Sequence, residues 1–579
     1  MDAGVSPLLQ AEIRSARYYA APEPALSNVC LSVSAGEFVV ITGPAASGKS
    51  TLCYCLTGVI PHAISADLEG DVVVAGHRLL DLRLPEVAPL LGFVFQAPEN
   101  QLFNLSVRED VSFGPENLLL PIPEIQRRVA ASLDFTGMGT YLERASDQLS
   151  GGEAQRVVLS CILALEAPLL VLDQPAAELD PQGRRQVYEN LHRLNQAGKT
   201  IVVVEDRLSD VAGFASRIIL MNAGRVVADQ PIREFFSRSD LPEFGIRIPD
   251  TVLLHHYLKD RGMNGRQVPL TVEEVVSRLA SGSPAPPNGA SERIAAPAAE
   301  LSGSISQAPT SLITISRLAY SYPNGARALD DVSLRCGAGE FLAIIGENGA
   351  GKTTLAKHLI GLLPPPPGTV LVAGADIAQL TVAQASRRVG YLFQDPDYQI
   401  FNGSVFDEVA FGLRARKLPK AEIEEQVMAA LRRLRLDHLR TEHPYTLSRG
   451  QRQRLALAST WVLRPPILLV DEPSTGLDHR EAADLMSLLE EFRAGGGTVL
   501  IITHDLELVF EYAQRVVVMR RGTIRLDLPA TGVQERFEEV SAAGVHLPQF
   551  MHLVAALGLP PNTDGVPALG DAVLARARG

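Results

Sequence analysis

Two nine-residue stretches constrain the fold of this chain more than anything else in it. They are Gly43-Pro44-Ala45-Ala46-Ser47-Gly48-Lys49-Ser50-Thr51 and Gly346-Glu347-Asn348-Gly349-Ala350-Gly351-Lys352-Thr353-Thr354. Both read G-x-x-x-x-G-K-[ST], the loop that cradles phosphate. Its glycines let backbone N–H groups close on a β-phosphate, the lysine reaches the β/γ oxygens, and the Ser50 or Thr353 hydroxyl ligates Mg²⁺. The second loop follows an apolar run, Phe341 to Ile345, that reads as a buried parallel strand, and it precedes a helix-like segment from Thr354. A chain built around such strand–loop–helix units belongs to the α/β class with a mostly parallel sheet.

The loops are parts of a longer repeat, because their first glycines, 43 and 346, stand 303 positions apart and other motifs recur at nearly that spacing. Phe95-Gln96-Ala97-Pro98-Glu99-Asn100-Gln101-Leu102-Phe103 returns as Phe393-Gln394-Asp395-Pro396-Asp397-Tyr398-Gln399-Ile400-Phe401, shifted by 298. Leu149-Ser150-Gly151-Gly152-Glu153 returns as Leu447-Ser448-Arg449-Gly450-Gln451 at the same shift. The apolar runs ending in Asp173 and Asp471 keep it too. A near-constant offset across unrelated local motifs means a duplicated domain. The extensions match as well, Gly245-Ile246-Arg247-Ile248-Pro249 answering Gly544-Val545-His546-Leu547-Pro548.

The expected organisation is a phosphate-loop domain over residues 1–235 with an extension over 236–280, then a linker over 281–310. A second domain follows over 311–530, with its extension over 531–579. The linker is rich in Ser, Ala, Pro and Gly, a composition that buries no core and reads as a flexible tether. Such a tether raises the effective concentration of one domain near the other. Within each domain short β-rich segments alternate with helical ones, and the stretches 97–148 and 395–446 carry helical patterning. Val427, Leu431 and Leu434 there have the spacing of a core-facing stripe.

Composition narrows the class. No apolar run reaches the roughly 18 residues of a membrane span, and residues 1–11 lack the basic-then-apolar pattern of a secretion leader. Five cysteines form no C-x-x-C pair, so free thiols in a reducing cytosol are expected, without a zinc or iron–sulfur site. Acidic residues outnumber basic ones, 66 to 53, giving a net charge of −13, a poor surface for nucleic acid.

Taken together, the loop, the glutamine, L-S-G-G-[EQ], the apolar run ending in Asp and the following L-D resemble the ATPase subunit of an ABC transporter. The resemblance covers nearly the whole chain apart from the linker. It implies two tandem ABC-type P-loop domains, each with a mostly parallel sheet core, an antiparallel β subdomain and a helical subdomain. The F-Q-x-P-x-x-Q-[LI]-F form around Gln96 and Gln394 is narrower and resembles the energy-coupling factor group, whose ATPases drive uptake of vitamins or transition-metal ions.

In that family two domains pair head to tail, and each ATP lies between the phosphate loop of one and the signature segment of the other. A Ser hydroxyl, glycine N–H groups and a helix N-terminus then form a second anion site. The resemblance implies that loop 346–354 works with Asp471 and Thr353 on Mg²⁺ and with Glu472 as general base. Gln394 is implied to sense metal, water and γ-phosphate, and His504 to position the water. Ser150, Gly151, Gly152 and Glu153 would close this site from the other domain. Loop 43–51, with Ser50, Gln96 and Asp173 on Mg²⁺, would hold nucleotide as well. Beside it stand Gln174 in place of the base and Asp206 in place of the histidine. Its partner signature is Ser448, Arg449, Gly450 and Gln451, with Arg449 replacing a glycine; Arg449 offers a charge to pair with phosphate. All three departures fall on one composite site. One hydrolytic site and one mainly ATP-binding site are therefore expected. The family also places an aromatic ring against adenine. Tyr322 and Tyr19 stand six residues before an Ala-Leu pair, with Tyr18 an alternative to Tyr19.

The expected function is ATP hydrolysis, with ATP and Mg²⁺ as cofactors, driving a membrane importer from its cytoplasmic face. Membrane partners are then separate chains: a transmembrane coupling (T-type) subunit and a substrate-capturing (S-type) subunit. The alternative is a twin ATPase acting on ribosomes or DNA, disfavoured by the acidic charge, the few cysteines and the Pro/Ala/Ser-rich linker.

Overall fold

The structure is a computed structural model describing residues 7–19, 21–96, 98–149, 151–177, 179–263, 267–281, 311–560, 563 and 565–578. The predicted linker, save Ser281, and Ser150 of the first signature lie outside the described residues. The chain divides into two compact units, Met1–Thr271 and Val272–Gly579.

In the first unit a six-stranded sheet runs in the order Arg225–Pro231, Arg217–Asn222, Phe38–Thr42, Thr200–Val204, Leu169–Asp173, Leu91–Val94. Neighbours along it are parallel except at the Arg225–Pro231 edge. The second unit repeats this order with Thr523–Pro529, Arg515–Arg520, Phe341–Ile345, Thr498–Ile502, Ile467–Asp471 and Val389–Leu392, again with one antiparallel edge. Each unit also carries a four-stranded antiparallel sheet, in which Leu9–Tyr18 or Ser311–Ser321 pairs with strands on both sides.

The central strands are buried on both faces, which is why they read as unbroken apolar runs. Alternation then sorts their side chains into two cores. Phe341, Ala343 and Ile345 pack with the helical layer that holds Leu485 and Leu489. Leu342 and Ile344 pack with Leu355 and Leu359 of the helix Lys352–Leu359 and with the antiparallel sheet. Phe38 and Val40 against Val39 and Ile41 do the same in the first unit.

The helical subdomains follow the two glutamine segments. Val107–Asn117, Ile122–Thr136 and Gly151–Ala164 close on Val111, Leu133 and Val157. Val405–Ala415, Lys420–Arg433 and Arg449–Trp461 are their counterparts. The predicted stripe is fully inside, with Val427, Leu431 and Leu434 all buried. Ser106 and Ser404 start the first helix of each set, accepting from Glu109 N at 3.3 Å and Asp407 N at 3.0 Å. One helix departs from the expected boundaries. Val272–Ser281, read as part of the first extension, belongs to the second unit, where it packs on Gln549–Ala556.

Candidate functional site

Each phosphate loop connects a central strand to the helix Lys49–Leu56 or Lys352–Leu359. The loop glycines are needed where the backbone turns. Gly43 and Gly346 both have φ 150°, and a Cβ on either would run into the carbonyl of Met221 or Met519. Lys352 curls back to donate from Nζ to Gly346 O at 2.7 Å and Glu347 O at 3.0 Å. Lys49 makes the same pair with Gly43 O at 2.6 Å and Pro44 O at 3.0 Å. The Glu347 side chain turns away from the loop, against Gly544 of the extension and 3.9 Å from Arg520.

Parallel register brings the second unit's chemistry to this loop. Asp471 ends its strand opposite Ile502, so Glu472 comes out beside His504. Glu472 has φ 47° and donates its N–H to Ile502 O at 2.7 Å, which fixes a backbone that non-glycine residues seldom adopt. His504 Nδ1 lies 2.9 Å from Glu472 Oε2, and the His504 N–H donates to the same oxygen at 3.3 Å. Burial pushes the Glu472 pKa up, but His504 and then Lys352 outweigh it and hold the group below its ordinary value. It is a carboxylate at neutral pH, the form that can accept a proton.

Asp471 is raised by burial. Its Oδ2 accepts from the Tyr391 hydroxyl at 2.9 Å. Its Oδ1 is buried and accepts no well-formed hydrogen bond, and the Thr353 hydroxyl lies beside the carboxylate. One open carboxylate oxygen with a neighbouring hydroxyl suits a hard divalent cation, which takes its other ligands from water and phosphate. Asp173 of the first unit likewise keeps two buried oxygens without well-formed bonds, facing Ser50. The residues present therefore fit Mg²⁺ in both units.

The first unit keeps the backbone and changes the chemistry. Gln174 has the same φ of 47° and donates its N–H to Val204 O at 3.2 Å. Its Nε2 donates to Asp206 Oδ2 at 2.7 Å, and its Oε1 accepts from Gln96 Nε2 at 2.7 Å. Asp206 Oδ1 lies 3.3 Å from Lys49 Nζ. An acid–imidazole pair in one unit is thus an amide–acid pair in the other.

The sequence pattern of the ABC transporter family matches residues 26–177 and 329–475. A protein of Methanosarcina mazei described as an ABC transporter ATP-binding protein is 40% identical over 551 residues, covering 93% of this chain and 91% of its own. The chain belongs to the ABC transporter ATP-binding family. A protein of Caldanaerobacter subterraneus subsp. tengcongensis with the same description is 35% identical, over 92% of this chain and 93% of its own. A solved structure of cbiO1 from Clostridium perfringens, titled as part of the ABC transporter complex cbiONQ, is 35% identical. It covers 42% of this chain and 99% of its own, at a TM-score of 0.38. Members of the family bind and hydrolyse ATP, so this chain is an ATPase.

The ABC ATPase's signature segments start helices. Ser448 caps Arg449–Trp461, accepting from Gln451 N at 3.2 Å while Gln451 Oε1 accepts from Ser448 N at 2.8 Å. Arg449 lies over Gly476, and Gly450 leaves room for the Glu481 carboxylate. In the first unit Gly151 and Gly152 open the helix Gly151–Ala164, and Glu153 sits 3.3 Å from Arg144. Gln394 is exposed after its strand.

The candidate adenine-side tyrosines stand beside their loops. The Tyr322 hydroxyl meets Thr354 Oγ1 at 3.1 Å, and it is Tyr18, not Tyr19, that meets Thr51 Oγ1 at 3.1 Å. Tyr19 is 83% exposed on the following turn. Tyr391 escaped the reading altogether. The signal for it was its twin, Phe93, which holds the matching register without a hydroxyl.

Proposed function

We propose that this ABC ATPase is the energy-coupling subunit of an energy-coupling-factor-type importer for a vitamin or a transition-metal ion. It docks on the cytoplasmic membrane face against a T-type coupling subunit and an S-type capture subunit. Hydrolysis belongs to loop 346–354, while loop 43–51 mainly holds ATP. Head-to-tail pairing of the two units around nucleotide is carried over from the family resemblance.

The observation that carries the asymmetry is the exchange of Glu472–His504 for Gln174–Asp206 at equivalent backbone positions. Glu472 is ionised, oriented by His504 and next to the loop lysine's field, so it can take a proton from an attacking water. Gln174 offers an amide and cannot. A bound Mg²⁺ would supply neutralisation of phosphate charge in both units. Lys352 and the loop N–H groups would orient the phosphates, and Thr353 with Asp471 would hold the cation.

Membrane docking is supported by a surface feature that both units share. Phe103 and Phe113 pack edge to face at 4.9 Å, and Phe401 and Phe411 at 4.8 Å, all four largely exposed beside the glutamine segments. Exposed aromatic pairs in matching places suit a protein partner. Among the described residues no helix is long and apolar enough to cross a membrane.

The test is steady-state ATPase activity of two variants and pull-down from detergent-solubilised membranes. Glu472→Gln is expected to lose ~10²–10⁴ in turnover, and Gln174→Ala to lose little. Equal losses remove the asymmetry. Recovery with ribosomes in place of integral membrane proteins removes the importer.

A further inference from the structure

Corresponding exposed positions of the two helical subdomains carry opposite chemistry. In the first unit Leu105, 85% exposed, precedes the helix Val107–Asn117, while Leu119, 90% exposed, and Ile122 follow it. With the exposed Phe103–Phe113 pair they leave large apolar side chains facing water from 103 to 122. The second unit repeats the backbone, Leu119 at φ 55° being matched by Lys417 at φ 60°, but not the side chains. Gly403, Lys417 and Lys420 stand where the first unit has Leu105, Leu119 and Ile122. Arg387 and Arg416 stand where it has Pro89 and Leu118. Arg416 is anchored by donating from Nη1 to Leu463 O at 2.9 Å. Partial burial, and then the charge of Arg387, hold its guanidinium below the ordinary value, so the two cations lie close together. Among the described residues no carboxylate pairs with Arg387, Arg416, Lys417 or Lys420, whereas Arg414 is closed on Asp407 at 2.7 Å. The first acid beyond Lys420, Glu422, accepts from Gln426 at 2.9 Å. In a chain of net charge −13 such a cluster is a local field of opposite sign, which attracts an anionic partner.

We propose that the two units dock on unlike segments of the membrane partner, the first on an apolar segment and the second on an acidic one. This rests on the reading of the chain as the ATPase of a membrane importer. The matched aromatic pairs give both units a common seat, and the side chains around them decide which segment each unit accepts. An acidic segment laid against Leu105, Leu119 and Ile122 gives up its hydration for no charge in return. An apolar segment laid against Arg416, Lys417 and Lys420 strips water from cations and leaves them unpaired. Specificity comes from the cost of these mismatches as much as from the matched contacts. The chain therefore seats on its partner in a single orientation. Loop 346–354 always belongs to the unit that holds the acidic segment, and loop 43–51 to the unit that holds the apolar one.

The experiment is photo-cross-linking of the full chain in detergent-solubilised native membranes, read by sequencing the captured peptides. Benzoylphenylalanine replaces Pro123 or Ala421, both exposed, and so leaves every residue named above in place. Position 421 is expected to capture an acidic segment of an integral membrane protein, and position 123 a different, apolar segment of the same protein. Lys417→Glu with Lys420→Glu is expected to lower the yield at 421 by about tenfold or more and to change the yield at 123 by less than about twofold. Raising salt to about 0.5 M is expected to separate the two positions in the same way. Melting temperature and ATPase activity check the charge-reversed variant, and both are expected to hold because the replaced side chains face water. One common segment captured at both positions overturns the proposal. So does a segment at 421 without net negative charge, or a yield there that charge reversal leaves unchanged. Flotation of the full chain on vesicles of phosphatidylglycerol and phosphatidylcholine tests a lipid surface. Binding there that the charge-reversed variant loses assigns the cations to headgroups and overturns the acidic segment. Ribosomal proteins captured at both positions in place of integral membrane proteins remove the importer reading itself, and this inference with it.

Discussion

The hydroxyl of Tyr391 donates a 2.9 Å hydrogen bond to Oδ2 of Asp471, and Phe93 in the matching register of the first unit has no such group to offer Asp173. The bond fixes one carboxylate oxygen and leaves the other for a cation. Removing it with Tyr391→Phe keeps the ring and its edge-to-face contact with Phe393 at 4.6 Å. Losing a partner that orients a metal ligand typically costs 10–100-fold in metal affinity or activity. The expected result is a right shift of the Mg²⁺ dependence of ATPase activity by about tenfold, with the thermal midpoint little changed. Phe93→Tyr is expected to leave turnover where it was, because Gln174 beside Asp173 still provides no base.

The amide–acid pair of the first unit makes a second prediction, this time on stability. Gln174→Glu places a second carboxylate against Asp206 Oδ2, where an amide now donates at 2.7 Å. A lost hydrogen bond and a new like-charge contact together are expected to destabilise the first unit by about 1–3 kcal/mol. Adding Asp206→His restores opposite chemistry and should recover most of that loss. A double-mutant cycle by calorimetry measures the coupling, and additive effects would show that the two side chains act independently.

Much of this was written locally in the chain. Loop glycines, the aspartate ending an apolar strand and the residue after it are set by backbone conformation over a few positions, so spacing alone finds them. Partnership was harder to read. Spacing puts an aspartate at 206 in place of the histidine, but only the parallel register of Leu169–Asp173 with Thr200–Val204 sets Gln174 beside it, donating to Oδ2 at 2.7 Å. Arg449, read as a charge for phosphate, lies over Gly476. The helix Val272–Ser281 has the right pattern for a helix and carries no mark of which unit it joins.

Glu205 gives a pH prediction. Burial, then the charge of Asp210, pushes its carboxyl up to about 7, while Tyr188 and the Arg207 N–H pull the other way. The raised value means that the folded unit keeps a proton which the unfolded chain releases above roughly 4.5. Stability from this group is therefore full below that value, falls as pH rises through the window up to about 7, and levels off above it. Glu205→Gln is neutral throughout and can still accept the N–H groups of Asp206 and Arg207. The first unit's melting temperature between pH 5 and 8 is expected to lose its downward slope in this variant. An unaltered slope would assign it to another group.

The exposed aromatic pairs make the last prediction, one that separates docking from folding. Phe401 and Phe411 are 62% and 49% exposed, so the fold gains little from their rings. Replacing both by serine removes apolar surface that already faces water, and surface changes of this kind usually stay within about 0.5 kcal/mol. The melting temperature should therefore hold. If the patch is where a membrane protein seats, the same double variant should fail to co-purify integral membrane proteins from detergent extract. The matched change at Phe103 and Phe113 should weaken the recovery independently, because each unit carries its own pair. Undiminished recovery in the fourfold variant would move the docking surface elsewhere on the two units.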